Sequence, residues 1–135
     1  MIHLDTSFLV DLLREQARGK DGAATTWLEG ASASPLAVSI FAHCELEAGA
    51  ANAAHPVRER EKIRALLASV SVAVPGQTFA AHYGATLVHI HRASKSISTM
   101  DLLIATMALD AGASLLTGNP RHFEVVPDLT VFSYR

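Results

Sequence analysis

Cysteine is nearly missing from this chain: only Cys44 occurs among 135 residues. That excludes an internal disulfide and a cysteine-built zinc site, and fits a reducing compartment. A surplus of either charge is missing as well. Lys and Arg number 11 against 13 Asp and Glu, with a net charge of −2 and a pI near 6.4. The basic excess common in nucleic-acid binders is therefore absent, although a local basic patch or a bound metal is compatible with this balance. No apolar run approaches the ~18 residues of a membrane span, and no basic segment precedes an apolar one as in a signal peptide. The expectation is a soluble, cytoplasmic protein with no membrane partner. Low-complexity tracts, internal repeats, linkers and Gly-rich phosphate loops are also lacking. Half of the residues are hydrophobic and 18% charged, which suits one domain over 1–135 with a real core.

Three acids stand where apolar neighbours should repel them. Asp5 ends Met1-Ile2-His3-Leu4. Glu45 lies inside Ser39-Ile40-Phe41-Ala42-His43-Cys44-Glu45-Leu46. Asp101 precedes Leu102-Leu103-Ile104-Ala105-Thr106-Met107-Ala108-Leu109. No Lys or Arg lies within four residues of any of them. A carboxylate in low dielectric costs several kcal/mol, roughly, unless it is paired. A hard divalent cation such as Mg²⁺ takes oxygen ligands and suits several unpaired carboxylates.

The apolar pattern predicts strands at 2–4, 36–40, 70–74, 114–117 and 129–132. Helices are predicted at 7–16, 23–30, 41–51, after Pro56, at 78–94 and at 100–111. Thr6 or Ser7 is the expected cap of the first helix and Ser98 or Thr99 of the last. The charges at 58–64 read as a solvated helix face. Alternation of strand and helix predicts an α/β domain with a parallel sheet. Ligands of such sheets bind outside the carboxyl ends of the strands. Asp5 ends strand one, and Glu45 lies in the first or second turn of the helix after strand two. Asp101 follows a predicted cap, and Asn119 comes directly after strand four. All four thus lie on one rim. Helix starts ease a carboxylate by ~0.3–1 kcal/mol, a simpler role for Asp5 or Asp101 taken singly that suits the set of three less well.

Other chemistries fit worse. His89 and His91 are two apart on a helix and point to different faces. Cys44 on an apolar helix reads as core. An Asp-dependent phosphotransfer protein would carry a second Asp at position 7, where this chain has Ser7, or an acceptor Asp after strand three, where it has Pro75-Gly76-Gln77. Ser7 and Thr117 are candidates to orient water or phosphate, with capping or a buried hydroxyl as the plainer role. Arg121 and His122 are candidates for phosphate contact in a loop after Asn119, with a surface loop as the alternative.

Four segments in order carry a family resemblance: Leu4-Asp5-Thr6-Ser7, then Glu45-Leu46-Glu47-Ala48-Gly49, then Met100-Asp101-Leu102-Leu103-Ile104-Ala105, then Leu115-Leu116-Thr117-Gly118-Asn119 with His122-Phe123. Together they resemble the PIN-domain ribonucleases, specifically VapC-like toxins of bacterial toxin–antitoxin pairs, over nearly the whole chain. The resemblance implies a PIN-like fold with a five-stranded parallel sheet in the order 3-2-1-4-5. It implies a Mg²⁺- or Mn²⁺-dependent endoribonuclease, usually a homodimer, held by a VapB-like antitoxin. Asp5, Glu45 and Asp101 match the family's acidic positions. Asn119 falls where many members carry a fourth acid and many VapC-like members carry Asn, and its amide adds no charge to hold a second metal. A catalytically weak PIN-fold module that only binds RNA or protein is the alternative within this fold, disfavoured by the intact acids.

Overall fold

The protein is described here by a computed structural model covering residues 1–31 and 33–135. Strand β1 (Ile2–Leu4) lies at the centre of a five-stranded parallel sheet ordered β3-β2-β1-β4-β5. β2 is Leu36–Ser39, β3 Ser71–Ala73, β4 Ser114–Thr117 and β5 Val131–Ser133. β1 pairs on one side with β2, Ile2 opposite Leu36, and on the other with β4, Leu4 opposite Leu116. Strands covered on both faces read as continuous apolar runs, and Leu115 and Leu116 are fully buried.

The helices are α1 (Thr6–Arg18), α2 (Ala23–Gly30), α3 (Ile40–Ala51), α4 (Pro56–Leu67), α5 (Phe79–Arg92), α6 (Thr99–Asp110) and the short α7 (Pro120–Phe123). Phe8, Leu9 and Leu12 of α1 join Val38, Ile90, Leu102, Ile104 and Phe123 in one core. Phe8 meets Trp27 and Tyr134 edge-on, with centroids 5.5 and 5.1 Å away, a favoured aromatic geometry. No described helix is long and apolar enough to cross a membrane.

Several local expectations are corrected. Neither Thr6 nor Ser7 caps α1. Asp5 occupies the N-cap position, but its side chain makes no capping bond and turns elsewhere. α1 runs on to Arg18 and stops at Gly19, whose φ of 63° allows its N–H to reach Gln16 O, the left-handed stop that glycine favours. Ser98 does cap α6, accepting from the Asp101 N–H. β5 begins at Val131 rather than 129, because Asp128 takes a positive φ of 65° and Thr130 O accepts the Leu115 N–H before the strand proper starts. Residues 120–123 form α7 rather than a loop, with Pro120 at its first turn, where a missing N–H costs nothing. Cys44 is exposed, not core. α3 buries Ala42, Leu46 and Ala50, and a residue two positions from Ala42 or Leu46 faces the other way.

His3 sits in the central strand at 1% exposure, and neither ring nitrogen has a partner among the described residues. Burial, then the positive amino terminus, pushes its pKa below 6.5. The folded state therefore holds it neutral while the unfolded chain binds a proton, so stability is present above about pH 6.5 and lost as pH falls below it. His3→Leu is expected to raise the unfolding free energy by about 1–2 kcal/mol at neutral pH, since an unmet buried polar group is removed. The gain should be larger at about pH 5.5 than at about pH 7.5 in urea titrations. An equal gain at both would contradict a buried neutral imidazole.

Candidate active site

The strand order reverses between β1 and β4, and their carboxyl ends open the crevice where such sheets take ligands. Asp5 leaves β1 with its N–H donated to Leu116 O at 2.9 Å, which pins its backbone to the neighbouring strand. Its carboxylate is 5% exposed. Oδ2 accepts the Thr117 hydroxyl at 2.7 Å and the Ser7 hydroxyl at 2.9 Å. Ser7 Oγ in turn accepts the Gly118 N–H at 2.9 Å, and Thr117 Oγ1 accepts the Asn119 N–H at 3.0 Å. Thr117, fully buried, and Ser7, half-buried, are thus props for Asp5, and they tie the start of α1 to the loop after β4.

The other acids approach from two sides. Asp101 sits in the first turn of α6, and His122 Nδ1 stands 3.3 Å from its Oδ2. Glu45, in the second turn of α3, accepts the Thr6 hydroxyl at 2.6 Å. Thr6 adjoins Asp5, so Glu45 is bonded to the same short segment that carries the first acid. Asn119 is the N-cap residue of α7, and its side chain makes no capping bond. Arg121 and His122 line an open cleft of about 490 Å³ with Ser96, Ser98 and Asp101. Glu45 borders a different groove, between α1, α3 and α4. Among the described residues, no three His, Cys, Asp or Glu side chains form a ready-made metal cage.

Charge is the most telling property of the site. Among the described residues, neither Asp5 nor Glu45 has a cationic side chain within salt-bridge range, and Asp101 has only His122. Burial lifts the Asp5 pKa above its ordinary value. The hydroxyls of Thr117 and Ser7 oppose that lift, and the negative charge of Asp101 adds to it. Asp5 and Asp101 therefore repel each other, and Asp5 has no counterion of its own to relieve that repulsion. The donor set fits a hard divalent cation: all-oxygen, anionic and uncompensated. Mg²⁺ is commonly held by one or two carboxylates and several waters rather than by a full protein cage.

Sequence reasoning missed Thr6 as the partner of Glu45, and Tyr134, Asp11 and Arg135 just behind Ser7. A hydroxyl beside a conspicuous acid is a weak signal. Tyr134 and Asp11 are 123 residues apart, a distance no local pattern spans.

The PIN domain family model matches residues 2–129. Ribonuclease VapC1 of Haemophilus influenzae strain R2866 is 30% identical over 94 residues, 70% of each chain. Among solved structures, VapBC2 from Rickettsia felis bound to a promoter DNA fragment superposes with a TM-score of 0.90, at 23% identity and full coverage of both chains. VapBC-1 from nontypeable Haemophilus influenzae gives 0.86, at 25% identity, covering 99% of this chain and 98% of that one. With the sheet order, the acids on its carboxyl rim and a family match that takes in nearly every residue, the chain belongs to the PIN-domain family.

Proposed function

We propose that this protein is a metal-dependent endoribonuclease that hydrolyses RNA phosphodiester bonds, the toxin of a VapBC-like toxin–antitoxin pair. The observation that carries the chemistry is the buried, uncompensated Asp5 carboxylate facing Asp101 across the switch point of the sheet. The likeness to Ribonuclease VapC1 supports RNA as the substrate. Asp5, Glu45 and Asp101 would hold Mg²⁺ or Mn²⁺, with Asn119 contributing an uncharged oxygen. Bound there, the ion would lower the pKa of a water and draw charge from the phosphoryl oxygen. The chain supplies the rest. Ser7 and Thr117 hold the Asp5 carboxylate by their hydroxyls. Arg121, beside Ser96 and Ser98 in the open cleft, offers a guanidinium to a backbone phosphate, a pairing favoured by geometry as well as charge. His122 bridges that cleft to Asp101.

The partner in this reading is a VapB-like antitoxin, as the VapBC complexes of the related folds support. A groove of about 370 Å³ lined by Val10, Leu13, Leu46, Gly49, Ala50 and Ile63 suits an amphipathic helix. Glu45 lies at its border, where a basic side chain of such a segment would meet that carboxylate. The working form is read as a cytoplasmic homodimer.

Purified protein freed of antitoxin should cleave a structured RNA with Mg²⁺ or Mn²⁺ and stop when EDTA is added. Activity should return with either ion in excess. Cleavage that persists at full rate in EDTA would overturn the metal reading, and no cleavage of a varied RNA panel would overturn the nuclease itself.

A further inference from the structure

Beside Ser7, just after the end of β5, lies a polar cluster that the proposed chemistry does not use. Tyr134 is 8% exposed. Its Oη donates to Asp11 Oδ2 at 2.5 Å and stands 3.3 Å from the Ser7 main-chain oxygen. The Arg135 guanidinium donates to the same Asp11 oxygen at 2.5 Å. Burial, then the bond to Asp11, pushes the Tyr134 phenol up to about 12, so it remains a donor throughout the working pH range. Gly118 closes the arrangement from the other side. A Cβ there would stand 2.7 Å from Tyr134 Oη and 3.1 Å from an Arg135 nitrogen. Tyr134 thus touches both halves of the junction at which Ser7 Oγ accepts the Gly118 N–H and donates to Asp5.

We propose that Tyr134, Asp11 and Arg135 form a positioning clamp that holds the Ser7–Gly118 junction, and through Ser7 the Asp5 carboxylate, in working geometry. The inference rests on reading the acidic rim as a nuclease centre. Its physical basis is lever-like. Two side-chain hydroxyls orient the Asp5 carboxylate, and one of them belongs to a residue whose backbone oxygen faces Tyr134. A misplacement of about 1 Å at a reacting centre can cost on the order of 10²-fold in rate. Gly118 follows from the same geometry: its lack of a side chain makes room for the clamp.

The test uses Tyr134→Phe, which keeps the ring against Phe8 and removes only the hydroxyl. Two readouts are taken on the full chain: RNA cleavage with Mn²⁺, and amide hydrogen exchange. The clamp predicts a fall in kcat of about 10–100-fold with KM for RNA nearly unchanged. It also predicts faster exchange at Gly118 and Asn119, by about tenfold, with protection in β1 and β4 retained. Gly118→Ala should reproduce both effects by displacing Oη from the opposite side. Asp11→Asn, which keeps an acceptor for Tyr134, should recover much of what Asp11→Ala loses. Parental exchange at Gly118 and Asn119 in Tyr134→Phe overturns the clamp, as does parental kcat. A merely structural role would lower the melting temperature and leave kcat per folded molecule untouched, which also overturns it. If the parent protein itself cuts no RNA, the nuclease reading falls, and the exchange measurement alone decides whether Tyr134 holds the junction.

Discussion

Asp5→Asn is expected to lower metal-dependent RNA cleavage on the order of 10³-fold while leaving the protein folded and more stable. The activity loss follows from charge. An amide keeps the shape of the side chain and an oxygen to accept a hydroxyl, but it cannot draw a divalent cation. The stability gain follows from burial. The folded-state pKa of Asp5 is raised, chiefly by desolvation, so its contribution is most favourable at low pH and is lost as pH rises through that pKa. At neutral pH the ionised group opposes folding in metal-free protein. Removing the charge should return about 1 kcal/mol, or roughly 3–5 °C in melting temperature for a chain of this size. Mn²⁺ should stabilise the parent by mass action and leave the variant's melting temperature unmoved. Asp101→Asn should match it in activity, with a smaller gain in stability because Asp101 is the more exposed of the two. Parental cleavage in both variants would dispose of the acidic rim as the catalytic centre.

The largest expected loss of stability lies elsewhere, at Glu15. This carboxylate is 5% exposed and accepts three backbone N–H groups: Gly22 at 2.6 Å, Thr25 at 2.9 Å and Ala24 at 3.1 Å. It thereby satisfies the open donors at the start of α2, where Gly22 has no side chain to do so. Glu15→Ala should cost about 3–5 kcal/mol, because several buried donors lose their acceptor at once. Burial pushes the Glu15 pKa up, but the bonds from Thr25, Gly22 and Ala24 outweigh it and hold the value below 4.5. The contribution is thus present above about pH 4.5 and lost as pH falls below it, and the parent should lose stability there faster than Glu15→Ala does. Gly22→Ala gives an independent check. Its φ of −131° suits any residue, so the cost is steric: a Cβ would stand 2.7 Å from the Glu15 carboxyl carbon. That cost should nearly vanish in the Glu15→Ala background, as a double-mutant cycle in urea would show. Additive losses would mean that the two residues do not share the contact.

The elements differ in how plainly the chain announces them. β1, β2 and β4 are short apolar runs between turn signals and stand where the pattern predicts. β5 does not, because Leu129 and Thr130 look like strand residues while the positive φ at Asp128 delays the pairing. Cys44 looks like core because its neighbours are apolar, yet the buried face of α3 is the Ala42–Leu46–Ala50 stripe. Glu15 shows the converse. It lies three residues after Leu12 and seven after Phe8, on the face that α1 buries. The spacing was legible, but a buried acid in a helix is so costly that its partners at 22–25 had to be known before the position made sense.

By itself the sequence determined an α/β core and singled out three acids as candidates, because a carboxylate among apolar residues is a local anomaly with few physical remedies. The segments around those acids also carried the family, since their order and spacing survive without any knowledge of contacts. Tertiary structure alone decided how each acid is held: Asp5 by Ser7 and Thr117, Glu45 by Thr6, Asp101 beside His122. It alone set Tyr134 against Asp11 and Gly118. The physical reason is range. Periodicity and burial cost act over a turn or a strand, and only the Ser7 bond to Asp5 is that local; Glu45–Thr6, Asp5–Thr117 and Tyr134–Asp11 join residues 39, 112 and 123 positions apart, and only the closure of the sheet brings them within 3 Å or so of each other.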